Sequence, residues 1–173
     1  MNCLKNNRVT EISFFTQDAY ILAQKLIGMY ICRETDGQIS RYRITETECY
    51  IGMEDTACHA CKGKTKRTEI MWEKGGVCYV YLCYGIHNML NIVSGSRGQP
   101  QAVLIRGVRG YDGPGKLTKA MKVDRSFNGE NLIESCRIWL EEGDSLTYTA
   151  TPRIGIAYAE EKDRNALWRF VAE

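Results

Sequence analysis

Two carboxylates set two residues apart among aromatic rings, Glu46 and Glu48 in Tyr42-Arg43-Ile44-Thr45-Glu46-Thr47-Glu48-Cys49-Tyr50-Ile51-Gly52, give this sequence its clearest capacity for chemistry. The stretch is otherwise rich in Ile, Thr and Tyr, the composition of a half-buried strand. An acid in such a strand is costly to desolvate unless something uses or pairs it. Strand side chains alternate faces, so Tyr42, Ile44, Glu46, Glu48 and Tyr50 are expected on one side. On the wall of a cleft, Glu48 would serve as a general base or an anionic stabiliser. Parity leaves a plainer alternative open, a surface strand whose two acids meet lysines across the sheet, and it does not choose between the acids.

A second aromatic run follows, Tyr79-Val80-Tyr81-Leu82-Cys83-Tyr84-Gly85. Tyr79 and Tyr81 share a face, as core packing or as the wall of a site. Tyr84 stands where the strand breaks into a turn, and an exposed ring beside basic residues can insert between bases. The two histidines, His59 and His87, differ in context. His59 lies between the acidic strand and a basic run, placed to stack on or hydrogen-bond a ligand. His87 falls in the turn, where exposure is the default. Cys58-His59-Ala60-Cys61 with Cys78 and Cys83 raises a structural zinc site. Residues 78 and 83 have opposite parity in one strand, which argues against it.

The 173 residues suit one domain with a real core, and the net charge of +2 announces no polyanion. Its distribution says more: Lys62, Lys64, Lys66 and Arg67 cluster, followed by Arg97, Arg106, Arg109, Lys116, Lys119 and Lys122. Local basic patches are compatible with nucleic-acid binding and equally with a solvated charged face. No apolar run is long enough to span a membrane, and the first residues lack a signal-peptide core. The expectation is a cytoplasmic protein whose eight cysteines are reduced.

The elements that must position these groups follow from periodicity and breakers. Thr16 is expected to cap a helix whose stripe is Ala19, Leu22, Ala23, Leu26 and Ile27, ending at Gly28. Strands are expected over 29–33, 41–51, 77–84, 89–93, 102–108, 137–140 and 153–158. Asp36-Gly37 is a turn, and 77–93 forms a hairpin with Tyr84-Gly85-Ile86-His87-Asn88 at its tip. Residues 58–74 form a basic loop anchored by Ile70-Met71-Trp72, and Gly113-Pro114-Gly115 opens a second helix. The fold class is α+β: a single domain over 1–173, a mainly antiparallel curved sheet with peripheral helices and a protruding hairpin, residues 1–12 being a loosely ordered segment.

In order along the chain, the run 44–52 with Glu54-Asp55 and His59, the run 79–85 with Asn91, Val103-Leu104-Ile105-Arg106, Gly113-Pro114-Gly115-Lys116-Leu117 and Arg153-Ile154-Gly155-Ile156 resemble the alkyladenine (3-methyladenine) DNA glycosylase family. Each motif is weak alone; five in order are specific, and together they span about Phe14 to Phe170. The resemblance implies a monofunctional base-excision repair enzyme without metal or organic cofactor. It would act as a monomer on double-stranded DNA containing damaged purines, flip out the purine and hydrolyse its N-glycosidic bond, leaving an abasic site. It carries Glu48 over as the carboxylate that activates water and Arg106 as a basic residue beside it that helps hold that water and the site. Tyr50, His59 and Tyr81 become the rings enclosing the base, and Asn91 a pocket residue that screens exocyclic groups. Tyr84 becomes the wedge. Lys62, Lys64, Lys66, Arg67 and Lys116 would touch phosphates, positioning without reading sequence.

The physics agrees. A glycosidic bond in a stacked duplex is out of reach until the nucleotide flips. Leaving of the base builds positive charge on the sugar, which an ionised acid stabilises. Cationic N-alkylated purines would favour the faces of Tyr50 and Tyr81 by ~0.5–2 kcal/mol per contact. Two departures stand out: Lys66 replaces a common proline, and Lys62 and Lys64 replace arginines, which forfeits the bidentate fork. The chain also ends soon after Trp168-Arg169-Phe170, where the family's members commonly continue, so contacts from a C-terminal tail are not expected. A non-catalytic nucleic-acid-binding module and a small zinc domain are the alternatives.

Overall fold

The computed structural model describes residues 7–173, and everything below refers to these. Two helices open the chain, α1 (Ile12–Phe15) and α2 (Ala19–Leu26). The expected stripe of α2 is buried as periodicity requires: Ala19, Leu22, Ala23 and Leu26 have no exposure. Its cap is a correction. Thr16 closes α1, and the Asp18 carboxylate accepts the Tyr20 N–H at 2.9 Å. The short α1 takes the position that would have left Thr16 free to cap, so the next acceptor in the chain does so. Gly28, at φ 92°, turns the chain out of the helix.

Nine strands follow: β1 (Tyr30–Thr35), β2 (Gln38–Ile51), β3 (Cys78–Cys83), β4 (His87–Val93), β5 (Gln101–Val108), β6 (Tyr111–Asp112), β7 (Ile138–Glu141), β8 (Tyr148–Thr151) and β9 (Arg169–Ala172). They form one sheet in the order β3-β4-β5-β2-β1-β7, with β6 on β5 and the β8–β9 pair on β2. Every pairing is antiparallel. Helices α3 (Pro114–Ala120) and α4 (Glu161–Asn165) complete the α+β domain.

The long β2 is the organising strand. One edge pairs with β1 over residues 38–43 and then with β9 over 46–48, while the other pairs with β5. The register against β5 shifts between Ile44 and Thr47, a bulge that reverses the alternation. This corrects the expected common face: Ile44 and Tyr42 join the main core, whereas Glu46, Glu48 and Tyr50 turn to the other side. Gly107, opposite Glu46, leaves room for it, since a Cβ there would lie 3.1 Å from Glu46 Cβ. Thr47 and Cys49 point back into the core, where the Thr47 hydroxyl donates to Ala23 O of α2 at 2.8 Å.

Two further expectations change. Residues 153–158 form a loop rather than a strand, although Ile154, Ile156 and Tyr158 alternate as a strand would. Pro152 lacks a ladder donor, the Ile154 amide is spent on a side chain, and Gly155 sits at φ 76°. Residues 1–6 of the expected loose segment lie outside the described residues. Arg8 and Val9 are anchored: the Val9 N–H donates to Leu140 O, and Arg8 Nη2 donates to Leu132, Ile133 and Ser135 carbonyls. The hairpin of β3 and β4 has a three-residue tip, with Tyr84 at φ 50° and Gly85 at φ 72°. A tyrosine in the left-handed region is strained, and the residue is 92 % exposed.

Candidate active site

The face of the sheet away from α2 carries a second apolar cluster, Cys58, Ala60, Met71, Tyr79, Val93 and Ala102, with Tyr50 and Tyr81 packed on it. Above it opens a cavity of about 640 Å3, in the size range of small-molecule sites. β2 supplies Tyr50, the 3-10 turn at His59–Lys62 supplies His59, β3 supplies Tyr79 and Tyr81, β4 supplies Asn91 and β5 supplies Arg106. Tyr84, Arg67 and Lys116 stand at its border. The expected site residues therefore meet around one cavity, with two exceptions. Lys62, Lys64 and Lys66 are exposed on the neighbouring loop outside it, and Glu48 lies just behind its wall.

Glu48 has no solvent exposure. Its Oε2 accepts from the Tyr50 hydroxyl at 2.8 Å and its Oε1 from the Ile154 N–H at 2.8 Å. Arg106 Nε stands 3.5 Å from Oε1. All three neighbours line the cavity, so Glu48 reaches it through them. Burial raises the Glu48 pKa above the ordinary 4.5, opposed by Arg106, the Ile154 N–H and the Tyr50 hydroxyl. Two donors and a nearby guanidinium charge around one carboxylate suit its ionised form.

Glu46, two residues back, plays a different part. It accepts from Arg106 Nε at 3.0 Å and from Arg169 Nε of β9, tying three strands together. Arg169 is a residue that reading along the chain missed. It sits opposite Glu48 in register, but only the β2–β9 pairing brings it there.

The ring wall is tightly interlocked. The His59 and Tyr81 rings meet edge to face at 4.6 Å between centroids, and His59 Nδ1 shares a 3.0 Å hydrogen bond with the Tyr79 hydroxyl. Tyr79, 5.3 Å from Tyr81, belongs to the wall too; its shared parity with Tyr81 was the signal. Burial, and then the Arg67 charge, lower the His59 pKa to about 4, so the imidazole is neutral at pH 7. Asn91 is buried, its amide nitrogen donating to Tyr79 O at 3.1 Å. The two rings expected to offer open faces to a cation are already engaged. Arg153 lies 4.8 Å from the Tyr50 ring centroid and Arg67 5.2 Å from that of Tyr81. His87 is exposed as expected and packs against Gly115 at the start of α3. The half-site Cys58–Cys61 gains no further ligands: among the described residues no three His, Cys, Asp or Glu side chains converge on a metal position.

A buried acid held by donors, behind an aromatic cavity with a projecting ring and basic border, is the arrangement expected of an enzyme acting on a base. The chain matches the family model of methylpurine-DNA glycosylase (MPG) over residues 13–112 and 108–173. It belongs to this family of DNA repair glycosylases. It is 43 % identical over 174 residues to a protein of Borreliella afzelii (strain PKo), covering 92 % of this chain and 94 % of that one. It is 43 % identical over 182 residues to one of Psychrobacter cryohalolentis, covering 87 % and 86 %. A protein of Natranaerobius thermophilus is 40 % identical over 185 residues, covering 92 % and 93 %. Each relative bears the name "Putative 3-methyladenine DNA glycosylase".

Proposed function

We propose that this chain, as a monomer, releases alkylated or otherwise damaged purines from double-stranded DNA by hydrolysis, with Glu48 as the base. The names of its relatives point to 3-methyladenine as one substrate. In this mechanism the purine flips into the aromatic cavity, stacked among Tyr50, His59, Tyr79 and Tyr81, while Tyr84 fills the gap in the duplex. Water attacks the sugar C1′ as the C1′–N bond breaks. The bonding pair leaves with the base, Glu48 takes a proton from the water, and an abasic site remains. The water approaches Glu48 Oε1 from the side of Arg106, whose 3.5 Å contact is the loosest of the three around that carboxylate.

The observation that carries this proposal is the fully buried Glu48, held by two hydrogen-bond donors with the Arg106 guanidinium beside it, all three neighbours lining the cavity. Because Tyr50 and Tyr81 already hold guanidinium groups, cation–π preference contributes less than free rings would. Easy flipping and a good leaving group then carry more of the selectivity. The proposed place of work is the cytoplasm with access to the chromosome. Among the described residues no helix is long and apolar enough to cross a membrane.

The test is excision from duplexes each bearing one defined lesion (3-methyladenine, 7-methylguanine, hypoxanthine or ethenoadenine), wild type beside Glu48→Gln. Release of at least one base by wild type, and binding without release by Glu48→Gln, is the expected outcome. A wild type that binds but releases none would make the chain a binding module instead.

A further inference from the structure

We infer that Arg153 and Asp55 form a buried strut that holds both hydrogen-bond donors of Glu48 in place, which makes Arg153 a positioning residue for the base. The inference rests on the role proposed for Glu48 and deepens it. Neither side chain of the pair has any exposure. Arg153 Nη1 donates to Asp55 Oδ2 at 2.7 Å and Nη2 donates to Oδ1 at 2.9 Å, a two-pronged contact. The same nitrogens donate to Cys49 O at 3.0 Å and Asp163 O at 3.2 Å. Asp55 in turn accepts the N–H groups of Ile51 and Ala57, both at 3.0 Å. One ion pair thus ties the end of β2 to the following turn, to the 153–158 loop and to α4.

Its bearing on Glu48 is direct. Oε1 is held by the N–H of Ile154, the residue that follows Arg153 and lies in a loop with no strand ladder to fix it. Oε2 is held by the Tyr50 hydroxyl, and the Tyr50 ring lies against the Arg153 guanidinium. The Trp168 ring centroid also lies 4.8 Å from the guanidinium carbon. Each donor therefore depends on Arg153, one through the backbone and one through a stacked ring. A buried ion pair is weak as a device for stability alone, since apolar residues of like volume do as well. Arg153 Nε, moreover, is buried with no partner among the described residues. What the pair does supply is a planar, stackable fork at a fixed position, which a lysine lacks.

The decisive variant is Arg153→Lys, which keeps the charge and gives up the fork and the stack. The groups that face Glu48 are Arg106 from β5 and Glu46 and Tyr50 on β2, with Arg169 of β9 reaching Glu46. The substitution leaves all of them present. The donors favour the ionised carboxylate, so loosening them raises its pKa, and the rate falls off at higher pH on the acid side. Excision of a base that wild type releases should fall at least about tenfold, and the acid limb of kcat should move up by about one pH unit, the worth of one charge-assisted hydrogen bond. Binding to the abasic product duplex should stay within about twofold. A purely structural role would lower the active fraction and scale the profile without moving its limb. If Arg153→Lys does not fold, Asp55→Asn, which keeps the shape of the acceptor, should move the limb in the same direction. A limb that stays put in a folded variant overturns the strut while leaving the role of Glu48 intact. A wild type with no excision overturns both.

Discussion

Glu48, Asp55 and Arg153, on the inner side of the cavity, have side chains with no exposure, whereas Tyr84 on its outer side is 92 % exposed and Lys62, Lys64 and Lys66 are solvated. The inner groups are each held by several partners from different strands and loops. The outer groups have few: Tyr84 is fixed by its strained turn alone. The chemistry proposed at the sugar carbon would demand a base fixed to a fraction of an ångström, which suits a place where packing is dense. Gripping a charged duplex would demand reach and charge, which suit exposed side chains. Perturbing each side should therefore change a different observable.

The largest effect is expected at the inner side. Glu48→Gln removes the proton acceptor while keeping its shape, and excision should fall by roughly 10²–10⁴-fold at unchanged DNA affinity. Glu46→Gln should cost only about tenfold, because Glu46 acts through Arg106 and Arg169. Single-turnover release with saturating enzyme measures both. The pH profile sharpens the distinction. Burial raises the Glu48 pKa above 4.5 and the proposed mechanism needs the ionised form, so the rate should be lost as pH falls through that raised value. This acid limb should persist in Glu46→Gln and vanish in Glu48→Gln. His59, with a pKa lowered to about 4, should add no limb near neutrality. Equal losses for the two acids would erase the contrast between them.

At the outer side, Tyr84→Ala should leave the limb in place and weaken capture of the flipped state. A ring stacked on bases is worth ~1–3 kcal/mol, or about 5–150-fold. The loss should show in the equilibrium between stacked and flipped lesion, read with a fluorescent base beside it, and not in the pH dependence. Alanine keeps the Cβ that strains the left-handed turn at φ 50°, so the substitution relieves no strain and stability should stay nearly unchanged.

How much of this was legible in the sequence follows the same divide. Strands such as β3 and β5, and the helix face of α2, announce themselves because their periods are local. The start of the hairpin tip was legible from Tyr84-Gly85 but not its end, since His87 and Asn88, expected in the turn, already pair in β4. Glu48 was visible as one of two candidates, but parity alone could not separate them, and the bulge between Ile44 and Thr47 left no mark in residue types. Arg169 and the Arg153–Asp55 pair were hidden for another reason. Their partners lie 123 and 98 residues away, brought close only by the β2–β9 pairing and the loop beside it. Alternation misread 153–158 as a strand because Arg153 turns inward to satisfy an acid rather than a ladder.

The smallest effect is expected from the loop lysines. Lys62, Lys64 and Lys66 are exposed and stand outside the cavity, so substitution by glutamine should spare both kcat and the acid limb. If each neutralises one phosphate, the slope of log affinity against log salt should shrink by about 0.9 per lysine removed. Lysine in place of arginine offers a point charge without a planar fork, so these contacts supply attraction more than geometry. Lys116, at the cavity border, differs from them: its removal should lower the salt slope by a similar amount and also slow capture of the flipped base. Affinity measured from low to moderate salt separates the two. A slope unchanged by removing all three loop lysines would assign them to a solvated face and leave the grip on DNA to Arg67, Lys116 and the hairpin.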